Sequence, residues 1–231
     1  MRKLSCSVIS VFVLSVAACG GGSGSSSTPS TPTTPTQANR SPVINSVNVT
    51  PSFGISELTS FNYIASANDA DGDNLTYAWD LAGNAASGTS GSITFKGSGT
   101  GTFKVTVTDG KGGSATDSRT ITVGSMTGNW SFFVPGQGTL LLSLTQNNTF
   151  VSGNFVVAPG GFGNVGAGST GRTDPAQPGS IDGNGRVVIR LKVGVFIDFT
   201  MTGNMDTTGQ RVTGALNGSG FSGQAFTMTK Q

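Results

Sequence analysis

An all-β fold in two successive modules is what this sequence predicts, and three observations carry that expectation. No window beyond residue 40 repeats apolar side chains at the 3.6-residue period of a buried helix face. Short runs of alternating apolar and polar residues recur instead, each bounded by Gly, Asn, Asp or Pro. Charged residues make up 10% of a chain that holds 36 glycines, against about 25% charged in an ordinary domain. So few charges leave little repulsion to keep strand edges apart, and sheets that close on themselves are expected.

Residues 1–18 begin with Arg2 and Lys3 and continue as an apolar run from Leu4 to Ala18, shorter than the roughly 20 residues that cross a bilayer as a helix. A charged start, a short apolar core and small residues before a cleavage point read as a secretory signal. Val16-Ala17-Ala18-Cys19 resembles the bacterial lipobox. That resemblance implies cleavage before Cys19, acylation of its thiol by a palmitate-bearing lipid, and attachment to a membrane through that anchor. Gly20, standing where Asp would retain the protein at the inner membrane, resembles the signal for the outer membrane, which implies modules displayed at the cell surface.

Residues 19–40 hold Gly, Ser, Thr and Pro and almost no apolar side chain, too little to fold. Their stiffer TPSTPTTPT part is polyproline-like, and about 21 residues extended at about 3.1 Å each reach roughly 65 Å. A flexible linker between anchor and modules is expected.

Of the 13 Lys and Arg, two lie in the leader, which leaves 11 basic residues against 11 acidic ones. A balanced chain without a basic run or an RNA-binding aromatic motif excludes nucleic acid as partner. There is no histidine, and the only cysteines are Cys6 and Cys19. With one in the leader and the other acylated, Ser-His-Asp and Cys-His catalysis, His or Cys zinc sites, and haem or iron-sulfur ligation are excluded in their usual forms. Hard cations held by oxygen remain.

In the first module, residues 41–124, strands are expected over Val43–Val49, Ser60–Ala67, Leu75–Leu81, Ser92–Phe95, Thr102–Asp109 and Ala115–Val123. Phe103, Val105 and Val107 share one face and Lys104, Thr106 and Thr108 the other. Tyr77 and Trp79, with Leu75 and Leu81, make a heavy inward face. Asp71-Gly72-Asp73 and the run from Asp109 to Gly113 are turn signals.

DADGDNLTYAWDL followed by GTGTFKVTVTDGKGGSATDSRTITV resembles the PKD-type immunoglobulin-like domain. The resemblance implies an immunoglobulin-like β-sandwich serving as spacer or binding module, and a calcium site at the acidic turn. The module carries seven carboxylates (Glu57, Asp69, Asp71, Asp73, Asp80, Asp109, Asp117) and four cations (Lys96, Lys104, Lys111, Arg119). Three of the seven crowd into Asp69–Asp73, and calcium accepts six to eight oxygens in loose geometry. By resemblance Asp69, Asp71 and Asp109 are the candidate calcium ligands; solvated turn residues are the alternative. An EF-hand is the poorer reading, because its sixth position is Asn74 where glycine is required.

The second module, residues 125–231, is expected to place strands at Trp130–Val134, Thr139–Gln146, Phe150–Val157, Arg186–Val193, Val195–Thr202, Arg211–Leu216 and Gln224–Thr229. Such strands close into a small antiparallel barrel or sandwich. Thr127-Gly128-Asn129-Trp130, with the Phe150–Phe155 strand and the closing Phe226–Thr229, resembles the lipocalin-like group of barrels. That likeness implies Trp130 as a plug at the barrel base and an apolar interior. Between Pro159 and Gly179 a long loop is expected, with Phe162 and Arg172 its only large contact-making side chains. Its Gly161 to Gly166 match to G-x-G-x-x-G lacks the helix that receives pyrophosphate.

Only paired carboxylates could still support familiar catalysis, and Asp174, Asp182, Asp198 and Asp206 are not marked as a pair. The expectation is a chain that is not an enzyme and whose partners, beside the membrane, are a protein or glycan at the cell surface. The alternative is a carrier with a small apolar ligand inside the barrel.

Overall fold

The computed structural model describes residues 37–193 and 197–231, and no helix occurs among them. Residues 38–231 form one compact unit. Cys19 and most of the linker lie outside the described residues, as do Val195 and Phe196 of one expected strand.

In the first half, β1 spans Val43–Thr50, β2 Phe53–Ile55, β3 Ser60–Asn68, β4 Thr76–Leu81, β5 Asn84–Ser87, β6 Ser90–Thr94, β7 Gly99–Thr108 and β8 Ser114–Gly124. A three-stranded sheet, β1-β3-β6, faces a five-stranded one, β2-β8-β7-β4-β5, in an immunoglobulin-like sandwich. Its core is the alternation seen in the sequence: Phe103, Val105 and Val107 are buried beside Phe61, Tyr63, Trp79 and Leu81. Tyr63 and Trp79 rings lie 4.8 Å apart, and Trp79 Nε1 donates to Gly88 O at 3.0 Å, so the aromatic payload is buried with its polar atom satisfied.

The second half holds β9 (Gly128–Val134), β10 (Gly138–Asn147), β11 (Phe150–Phe162), β12 (Thr170–Thr173), β13 (Gly179–Ile181), β14 (Arg186–Val193), β15 (Ile197–Met205), β16 (Arg211–Gly218) and β17 (Phe221–Lys230). Each strand pairs antiparallel with its neighbour, and β17 returns to β9, giving a closed barrel with eight wall positions. One position, between β11 and β14, is shared end to end by β12 and β13. Among the described residues, closure leaves no strand of the wall without a neighbour on either side.

Both ends and the middle of the expected Pro159–Gly179 loop, nine of its 21 residues, are therefore wall. Glycines at positive φ, Gly160 and Gly161 (101° and 83°), bend β11 so that it runs on to Phe162. Thr173 is buried, and its hydroxyl accepts from Gly153 N at 3.1 Å. A segment of Gly, Thr and Pro looks like a loop because it has no apolar alternation, yet its backbone groups complete the ladder. The short β2 and β5 escape the sequence reading for the same reason.

Sandwich and barrel meet at the barrel's base. Ile55, the last residue of β2, is 1% exposed and belongs to the barrel's core, with Phe53 and Leu58 packed beside it. Around it, Gln146 Nε2 donates to Ser56 O (3.0 Å), Asn148 N donates to Glu57 Oε2 (3.0 Å) and Thr59 Oγ1 donates to Gly183 O (3.2 Å). At the junction itself a Cβ on Gly209, which sits at φ 68°, would meet Gly124 Cα at 2.8 Å. The close approach of the two backbones, at a positive φ, requires glycine at position 209.

Candidate functional site

The acidic turn after β3 is built by its own first residue. Asp69 Oδ1 accepts from Asp71 N (2.8 Å) and Asp73 N (3.4 Å), an Asx arrangement that folds the three carboxylates toward one another. One oxygen from each of Asp69, Asp71 and Asp73 falls within 4.8 Å of the others. Asp69 Oδ2 is buried and has no hydrogen-bond partner among the described residues. A hard cation bound through oxygen would satisfy that atom, so the donor set fits calcium.

Two cations already border the turn. Arg40 donates from Nε (3.0 Å) and Nη2 (2.7 Å) to Asp71 Oδ1, from Nη2 to Ala70 O (2.6 Å), and from its backbone N to Asp71 Oδ2 (2.7 Å). Lys111 Nζ lies 3.3 Å from Asp73 Oδ1. The hydrogen bond from Arg40 is the main reason the Asp71 carboxyl sits below its ordinary pKa.

Asp109 stands outside this cluster, buried at the turn between β7 and β8. Its Oδ2 accepts from Asn39 Nδ2 (2.8 Å), and its Oδ1 accepts from Lys111 N (2.7 Å) and Gly113 N (2.9 Å). Asn39 first, then the backbone donors, hold the Asp109 carboxyl below its usual range against the opposing effect of burial. Asp73, Asn39 and Arg40 are thus the residues that sequence reasoning passed over. Arg40 is the only charged side chain between residues 19 and 40, a signal that could have been read.

The barrel interior is filled. Trp130 is fully buried near the base, its Nε1 donating to Met126 O at 2.9 Å, with Lys230 Nζ 5.5 Å from the ring centroid. Above it Phe132 and Phe226 rings lie 4.9 Å apart. At the mouth Phe162 turns inward, 2% exposed, against Phe132, Phe199 and Phe221 at centroid distances of 5.8–5.9 Å. What remains there is an open cup of about 250 Å³ bordered by Gln137, Asn164 and Gln224.

An immunoglobulin-like sandwich with an acidic turn defines the class of the first half, and the comparisons agree. Residues 39–124 match the family model described as a bacterial Ig domain. The chain is similar to the PKD1 domain of Vibrio anguillarum Epp, at 31% identity over 37% of this chain and 96% of that one, with a TM-score of 0.31. It is similar to the PKD1 domain of the Vibrio cholerae metalloprotease PrtV at 27% identity, over 36% and 98% of the two chains, TM-score 0.31. A carbohydrate-binding module of the β-sandwich superfamily is similar at 16% identity, over 84% and 93%, TM-score 0.37. No curated protein matches the chain. Over residues 39–124 the chain belongs to the PKD/Ig-like domain family.

Proposed function

We propose that the chain is a non-catalytic lipoprotein of the outer membrane, held through Cys19, that displays sandwich and barrel at the cell surface as one adhesion, binding or scaffolding unit for a protein or glycan. The observation that carries this reading is the closure of the barrel at both ends over a filled interior, by Ile55 below and Phe162 above. A barrel closed in this way meets partners with its outer wall. The antiparallel meander and Trp130 at its base support the likeness to the lipocalin group in topology, while the packed interior argues against the carrier alternative. Protease treatment of intact producing cells tests the display: both modules are expected to be cut from the surface, and protection of both overturns the reading. Mass spectrometry of the mature N-terminus tests the anchor, which an unmodified Cys19 would refute.

The acidic turn takes calcium through Asp69, Asp71 and Asp73, with Arg40 and Lys111 the side chains that give way to it. The ion would neutralise three crowded carboxylates and brace the turn. Millimolar calcium is expected to raise the melting temperature and chelator to lower it; a melting temperature indifferent to both ends the proposal.

A further inference from the structure

Across the outer wall one row of residues runs from β11 to β15: Asn154 pairs with Arg172, Arg172 with Lys192, and Lys192 with Asp198. Arg172 and Lys192 are directly opposed like charges on neighbouring strands, an arrangement that costs stability unless something neutralises it. Asp174 does so for Lys192, its Oδ2 3.3 Å from Nζ, while Asp198 Oδ2 lies at 4.0 Å. Asp174 is itself buried and fixed, Oδ1 accepting from Ala176 N (2.9 Å) and its own N donating to Arg190 O (2.9 Å). Arg172 is exposed and makes no ion pair or side-chain hydrogen bond among the described residues.

The Asp174–Lys192 pair forms a ridge between two hollows. The larger, about 730 Å³, is lined by Arg172, Asn154 and Thr170, and the smaller, about 330 Å³, by Arg190, Asp198 and Asn217. Arg190 follows the same pattern as Arg172, making no ion pair or side-chain hydrogen bond among the described residues. The barrel half has six cations, at 172, 186, 190, 192, 211 and 230, and three of them stand here. A chain so poor in charge has concentrated half of the barrel's cations on one groove.

Resting on the reading of this protein as a surface binding module, we infer that the groove binds an acidic polysaccharide of the uronate type. A uronate sugar offers one carboxylate for a guanidinium and several hydroxyls for carboxylate and amide side chains, which is the mixture the hollows present. Nucleic acid does not fit: Phe155 and Phe199 at the floor are buried and cannot stack bases. An acidic peptide fits less well, because among the described residues the closed wall offers no free strand edge to extend.

Titration calorimetry of the full chain with an oligogalacturonate tests this, with a neutral malto-oligosaccharide and polyglutamate as comparators. Oligogalacturonate alone is expected to bind, more weakly as salt rises, and Arg172→Ala should weaken it by about tenfold or more, the worth of a charge-assisted hydrogen bond. Arg211→Ala, a cation elsewhere on the wall, should leave it unchanged. No binding, equal binding of either comparator, or equal losses from both variants overturns the inference. Cells shaved of both modules, beside a chain that ignores oligogalacturonate, would sink this ligand and leave the surface-display reading standing.

Discussion

At its base the barrel takes Ile55 from the sandwich, whereas at its mouth it bends its own β11 back to seat Phe162. Both side chains finish the same core, yet only the first makes the barrel depend on its neighbour. The base is a joint and the mouth is a lid made locally. A change at the mouth should therefore act on one module, and a change at the base on the coupling between two.

Phe162→Ala carries the largest expected effect, about 3–5 kcal/mol lost from the barrel because a large void opens among the three rings it packs against. Chemical denaturation followed by fluorescence separates the modules, since Trp79 reports the sandwich and Trp130 the barrel. Trp79 should report an unchanged midpoint; a shift as large as that of Trp130 would break the distinction between lid and joint. Ile55→Ala should cost about 2–5 kcal/mol and move the midpoints that both tryptophans report. If only the Trp130 midpoint moves, Ile55 is not the coupling residue.

The smallest effect belongs to the sandwich's far side. Arg40→Ala removes an exposed pair, whose contribution is small, and its signature is pH dependence. Asp71 and Asp109 both have folded-state pKa values below the ordinary one, so they bind fewer protons folded than unfolded. Their stabilisation is present above the unfolded pKa of about 3.9 and lost as pH falls through the folded values. The gap between wild type and Arg40→Ala should be full near neutrality and vanish in acid. A gap that widens in acid would place the role of Arg40 elsewhere.

Alternation made the cores legible before any coordinates: Phe103 to Val107, Leu140 to Leu144 and Val187 to Leu191 all face inward where their spacing puts them. The acidic turn was legible as a composition, because three aspartates in five residues need a reason. The joint was not. Ile55 ends a strand of three residues, and no local pattern says that its core lies in the other module. The row from Asn154 to Asp198 was hidden for a related reason, since it exists only through cross-strand register. Arg172 drew notice within its segment, but its neighbour Lys192 is twenty residues away in the chain.

The contacts of Asn39 and Arg40 bear on mechanics. Tension reaching the sandwich from its N-terminal side arrives at these two residues before it reaches Val43, where β1 begins. It loads the Asn39–Asp109 and Arg40–Asp71 contacts first, spread over two turns, and only afterwards the β1–β3 ladder. The pair works as a strain relief, so that a pull on the chain need not start by unzipping the sheet.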